Sequence, residues 1–244
     1  MKRLFVVLVA FINTVSSQTT SRETGSPEVI PVLHATFVLK SPDHTIYFDP
    51  HGEGKNLEKH GKADIIFITD IHGDHLNTKT LSKLNTEGVH FVVPEAVAER
   101  LPEQYKTNLT ILQNGEQTLL KGITVKAVPM YNLPEDTTSR HPKGRGNGYV
   151  LTINGKRIYV SGDTEDIPEM RALKNIDIAL VCMNLPYTMN IHQAADAVAE
   201  FGPKVVYPYH YRGKPGMSDI ALFKQLVNDK NPGVEVRLLN WYPE

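Results

Sequence analysis

The sequence predicts an α/β protein in which sheets pack as a sandwich beneath helices, and three observations predict it. Short apolar runs bounded by turn residues recur from residue 29 to the end of the chain. Segments whose apolar residues step by three and four positions lie between many of these runs. The composition, 41% apolar and 22% charged over 244 residues, is that of an ordinary folded protein and excludes a disordered, collagen-like or polytopic membrane chain. A chain of this length can bury its core as one domain, assigned here to residues 28–244.

A strand-like stretch over 29–39 leads through the Ser41-Pro42-Asp43 turn into a second at 45–49, so the fold opens as a β-meander. Further strands are expected over 64–69, 90–93, 110–112, 123–129, 149–153, 157–161, 177–182, 204–207 and 234–239. Helices are expected over 78–84, 94–101, 167–173, 192–201 and 218–228, the fourth of them stopped by Gly202-Pro203. Meander and βα units alternate along the whole length, which is the pattern of sheets covered by helices.

Residues 1–18 read as a signal peptide, because Met1-Lys2-Arg3 precedes a short apolar run over 4–12 and a polar Ser/Thr-rich stretch follows. The run is too short for a stable membrane anchor, which needs roughly 20 apolar residues. The chain is therefore expected to be exported, to a periplasmic or extracellular location. Loss of Lys2 and Arg3 takes the formal charge from −1 to −3, which offers nothing to nucleic acid. A single cysteine, Cys182, excludes a disulfide framework, and its apolar run makes it a buried core thiol rather than a nucleophile.

The chemistry concentrates in Thr69-Asp70-Ile71-His72-Gly73-Asp74-His75, directly after the apolar run at 65–68. Asp70, His72, Asp74 and His75 are four potential metal ligands in six positions, and a tight turn at Gly73 lets them face one small volume. Imidazole nitrogen and carboxylate oxygen suit zinc, and carboxylate also suits manganese or iron. A solvated polar loop is the alternative for this segment taken alone. His141, Asp163 in Gly162-Asp163-Thr164, and His210 in Pro208-Tyr209-His210 add three more polar positions downstream.

That ordered set resembles the metallo-β-lactamase-fold hydrolases. The narrower resemblance is to the branch with ascorbate-phosphate lactonase and related metal-dependent hydrolases. It rests on Asp49-Pro50, Tyr131-Asn132, His141-Pro142-Lys143-Gly144, Gly162-Asp163-Thr164, Tyr187-Thr188-Met189 and Pro208-Tyr209-His210, and spans about 32–210. The resemblance implies a four-layer αβ/βα sandwich and two divalent ions, zinc first and manganese or iron as rivals. It puts Asp70, His72 and His141 at one ion, Asp74, His75 and His210 at the other, and Asp163 between both. The chain departs from the family pattern at Asp70, which stands where the pattern has histidine; the expected result is a harder site with one more negative charge. The implied function is hydrolysis of a small-molecule lactone, ester, amide or phosphodiester by a metal-activated hydroxide, with catalytic Asp74 orienting the water or carrying its proton. The alternative is a non-catalytic secreted metal- or ligand-binding protein.

The other candidates carry two readings each. His34 fits a pocket contact or core packing, and Tyr131 and Asn132 fit a substrate contact or a turn. The segment Lys143-Gly144-Arg145-Gly146 is expected to be a flexible solvated loop, with capture of a phosphate or carboxylate as its rival. His51 follows Asp49-Pro50 at the expected pocket border, whereas His44, His60, His90 and His192 are expected on the surface.

Overall fold

The computed structural model describes residues 25–243, so the expected leader at 1–18 lies outside the described residues. Two mixed sheets take up the chain in sequence order. The first runs Glu28–Leu33, Thr36–Lys40, Thr45–Phe48, Ile65–Phe67, His90–Val93 and Leu109–Ile111; the second runs from Gln117–Leu120 through Ile123–Met130, Gly146–Ile153, Lys156–Val160, Ile178–Cys182 and Val205–Tyr209 to Glu235–Val236. Each sheet starts antiparallel and turns parallel. Antiparallel strands need only a tight turn, whereas parallel ones need a crossover. The helix-bearing half of each sheet is therefore its parallel half.

Side-chain alternation then makes the layers. Phe37, Phe48 and Phe67 stack ring on ring at 4.6 and 4.7 Å, and Tyr149 of the second sheet meets Phe67 edge-on at 5.0 Å. Their neighbours Val38, Tyr47 and Ile66 point to the opposite face and pack with Leu57, Leu81 and Val97 of the covering helices. Helices Ile191–Phe201 and Ile220–Lys230 bring Ala194, Val198, Phe223 and Val227 into the main core with the second sheet. Helix, sheet, sheet and helix form the expected αβ/βα sandwich. Each fully buried phenylalanine in it contributes roughly 1.5–3 kcal/mol.

The element boundaries depart from expectation at particular places. The stretch at 29–39 is two strands, because Leu33 pairs with Thr36 and His34 turns the chain with φ 58°. The final strand shrinks to Glu235–Val236, and the following segment instead buries Trp241 against Phe37 and Tyr209. The helix expected over 78–84 shortens to Thr78–Leu81, capped by the Asn77 side chain on the Thr80 amide. The strand expected at 149–153 begins at Gly146, inside the supposed loop.

Candidate metal centre

The C-terminal ends of parallel strands are where open α/β sheets present side chains to a ligand. Here Asp49 follows Thr45–Phe48, residues 70–75 follow Ile65–Phe67, Asp163 follows Lys156–Val160, and His210 follows Val205–Tyr209. His34, Asp49 and His210 all have left-handed backbones, with φ of 58°, 44° and 48°. Such a backbone costs about 1–2 kcal/mol in a residue with a Cβ. At these three positions it accompanies side chains that meet in one cluster, where local strain is most often found.

Asp163 is the hub. One of its oxygens, Oδ2, lies 3.3 Å from His75 Nε2 and 3.2 Å from His141 Nε2, and Oδ1 lies 3.2 Å from His210 Nε2. Asp74 Oδ2 sits 3.5 Å from His210 Nε2 and 3.9 Å from His75 Nε2. His75 Nε2, His141 Nε2 and Asp163 Oδ1 are buried and have no hydrogen-bond partner. Buried polar atoms without partners are costly, so their convergence calls for an ion. The spacing agrees, since two donors bonded to one tetrahedral ion at about 2.0–2.2 Å lie about 3.3–3.6 Å apart. These residues fit a divalent metal. His34–Asp74–His210, Asp70–His72–His141 and His75–Asp163–His210 each bring three ligand atoms within 4.8 Å of one another.

The electrostatics agree with a cationic occupant. Burial pushes the Asp163 carboxyl up, but the His210 and His75 imidazoles outweigh it and hold the group well below the usual carboxylate range. Burial lowers His75, and the Asp163 and Asp49 carboxylates more than reverse this, carrying it well above the ordinary value. The side chains of Asp74 and His72, 32% and 21% exposed, are the parts of the cluster open to an incoming molecule.

The profile of the beta-lactamase superfamily domain matches residues 31–210. The chain belongs to the metallo-β-lactamase superfamily. It is a metal-dependent hydrolase of that superfamily, 30% identical to a UPF0173 metal-dependent hydrolase of Pyrococcus abyssi over 84% of this chain and 96% of the relative. A solved candidate metal-dependent hydrolase of Parabacteroides distasonis superposes with a TM-score of 0.74 at 37% identity, covering 87% of this chain and 92% of the other. Igni18, a metallo hydrolase of Ignicoccus hospitalis, shares the fold with a TM-score of 0.73 at 23% identity, over 88% and 95% of the two chains.

Measured against the superfamily pattern, Asp70 is fully buried and both of its oxygens are taken. Arg145 donates from Nε to Oδ1 at 3.0 Å and from Nη2 to Oδ2 at 2.9 Å, while His72 Nδ1 lies 2.7 Å from Oδ2. The extra negative charge expected from Asp70 is cancelled by Arg145, so that expectation is corrected. The correction extends to the 143–146 segment, because Arg145 is bound into the protein and Gly146 starts a strand. The carboxylate it captures is the chain's own.

Asn132 brackets His141: its amide donates to the His141 carbonyl at 2.9 Å, its Oδ1 accepts from the His141 amide at 2.8 Å, and its Nδ2 donates to the Tyr187 carbonyl at 2.8 Å. Tyr131 is buried and donates to Glu169 at 2.9 Å. Asn132 thus fixes the His141 backbone, and Tyr131 is held through its own amide, which donates to Thr164 Oγ1 at 3.2 Å. Burial pushes the Cys182 thiol up to about 11, in keeping with a core residue.

Two contributors escape the sequence reading. Asp49 accepts from the Thr69 amide and hydroxyl, both at 2.7 Å, and pairs with His75 Nδ1 at 2.9 Å. A carboxylate behind a histidine fixes the ring's tautomer and aims its other nitrogen. The only sequence signal was the Asp-Pro pair at the end of a strand. Tyr242, near the C-terminus, puts its hydroxyl 2.8 Å from His34 Nδ1, and no local pattern announces it.

Proposed function

We propose that this superfamily member hydrolyses a small-molecule lactone, ester, amide or phosphodiester, using divalent metal held by His72, Asp74, His75, His141, Asp163 and His210. The supporting observation is the set of buried, unpartnered donors spaced around Asp163 beside the part-exposed Asp74. When bound, the metal lowers the pKa of water towards neutrality and polarises the substrate oxygen. Zinc is the proposed ion, since four imidazoles and two carboxylates suit it, with manganese and iron as competitors.

The chain's own groups do the rest. Asp163 turns one oxygen to His75 and His141 and the other to His210, so it ties the two halves of the centre together. In this reading Asp74 orients the water or carries its proton. The Tyr242 hydroxyl accepts from the Arg212 amide at 3.0 Å and donates to His34 Nδ1, which leaves the His34 proton on Nε2, 3.3 Å from Asp74 Oδ2. Burial holds His34 below its ordinary pKa, so it stays neutral at pH 7 and steadies Asp74 by hydrogen bonding. Export through the 1–18 leader is part of the proposal, checked by cell fractionation and the mass of the mature N-terminus.

Metal content by mass spectrometry, read with turnover on a panel of lactones, esters, amides and phosphodiesters, tests the reading. Bound metal with chelator-sensitive turnover supports it. Metal without turnover on any class would make this a binding protein, and absence of metal after reconstitution would overturn the site.

A further inference from the structure

Asp70 differs from the rest of the cluster in the lengths of its contacts. The donors around Asp163 stand 3.2–3.3 Å apart without hydrogen-bond geometry, at the short edge of the separation of atoms sharing an ion. Asp70 Oδ2 is 2.7 Å from His72 Nδ1 and 2.9 Å from Arg145 Nη2, and Oδ1 is 3.0 Å from Arg145 Nε. Those are hydrogen-bond lengths, shorter than ligands on a common tetrahedral ion allow. A carboxylate has about four lone-pair positions, and three of these are filled.

The backbone builds this pair in. The Asn147 amide donates to the Thr69 carbonyl at 3.0 Å, which sets the chain before Asp70 against the chain after Arg145. Gly146 lies between, and a Cβ there would stand 2.9 Å from that same Thr69 carbonyl oxygen. The approach that delivers the guanidinium to Asp70 therefore requires glycine at 146. Asp70 is fully buried and the Arg145 side chain is 19% exposed, so the ion pair is shielded from solvent.

We propose that Asp70 is not a metal ligand, and that with Arg145 it forms a neutral unit that accepts a hydrogen bond from His72 Nδ1–H and turns His72 Nε2 towards the metal. This rests on the metal reading above and refines it. The Asp70–Arg145 pair carries no net charge, like the histidine of the superfamily pattern, but it contributes no donor to the ion. The His72–His141 half is left one ligand short, whereas Asp74, His75, Asp163 and His210 make a full set. The protein holds one ion tightly and a second only weakly.

Protein loaded with excess zinc and dialysed against metal-free buffer is analysed for zinc per chain, and histidine tautomers are read by long-range proton–nitrogen NMR of the loaded protein. One retained zinc, with His72 protonated at Nδ1, is expected. Arg145→Met frees the Asp70 carboxylate and should tighten the second zinc by about tenfold or more, the scale of effects just outside a metal's ligands. Asp70→Asn should keep the tight zinc, and Arg145→Lys, which keeps a cation beside Asp70 without the two-point contact, should tighten the second zinc less than Arg145→Met does, which separates release of the carboxylate from a folding artefact. Two tightly retained zinc ions in the wild type, with one lost in Asp70→Asn, would overturn the proposal, as would an unprotonated His72 Nδ1. Failure to bind any zinc would defeat the metal reading itself, a result distinct from either of these.

Discussion

Replacing Asp49 with asparagine should cripple metal binding while sparing the fold, for a reason visible atom by atom. Asp49 is 1% exposed and accepts three hydrogen bonds, from Thr69 N at 2.7 Å, Thr69 Oγ1 at 2.7 Å and His75 Nδ1 at 2.9 Å. In Asp49→Asn the amide oxygen must stay on the Thr69 N–H, which puts the NH2 group where Oδ2 faced His75 Nδ1. Two donors cannot share that line. The imidazole has to move its proton to Nε2, the atom aimed at Asp163, and loses its free lone pair there. Changes of this kind lower metal affinity about 10–100-fold, which corresponds to roughly 1.4–2.7 kcal/mol. Asp49→Ala should lose the same affinity and also strand the buried Thr69 amide, at about 1–3 kcal/mol of stability. In a domain of this size that lowers Tm by roughly 2–4 °C per kcal/mol. Competition with a chromophoric chelator reads the affinity, and melts in excess EDTA read the fold. An Asp49→Asn affinity within about twofold of wild type, well short of the effect expected just outside a metal's ligands, would refute the tautomer argument.

Other substitutions probe the same centre. Asp163→Ala should lose more metal than His141→Ala, because Asp163 faces His75, His141 and His210 whereas His141 serves one side; equal metal content in the two would contradict its place between the halves. Gly162 has φ 62°, and a Cβ there would meet Met130 Sδ at 2.6 Å and the Asn147 carbonyl oxygen at 3.2 Å. Gly162→Ala should therefore displace Asp163 and reduce metal content, and an unchanged stoichiometry and Tm would argue against it. Burial pushes the Asp70 carboxyl up, but the His72 hydrogen bond, with His75 and Arg145, holds it at about 2 against an ordinary 3.8. Because the folded value is depressed, the stabilisation of about 2 kcal/mol is complete above pH 3.8 and is lost as pH falls towards 2. Denaturant melts of the metal-free protein across that range should show the slope, and Asp70→Asn should flatten it.

Much of the fold was legible because strands and helices announce themselves locally. The period-2 run that puts Phe48 and Ile46 inward and Tyr47 outward is written in consecutive residues, and so is the helix stop at Gly202. Boundaries failed where a single residue broke the period without a composition change, as His34 does in the first hairpin. The strand Gln117–Leu120 is not legible in the sequence either, since an edge strand with polar residues has little apolar signal.

Residue chemistry and order along the chain are properties of the sequence by itself. They determined that imidazoles and carboxylates follow strand ends, that a metal suits them, and that the superfamily pattern is broken at Asp70. Only the tertiary structure decided which group Asp70 pairs with, because its partner Arg145 lies 75 positions away and meets it through the Thr69–Asn147 backbone contact between the two sheets. The same holds for Asp49 behind His75, 26 positions apart, and for Tyr242 on His34, 208 apart. A side chain's hydrogen-bond partner depends on sheet register and on which strand ends share an edge. Those quantities emerge from packing the whole core, and no local window of sequence contains them.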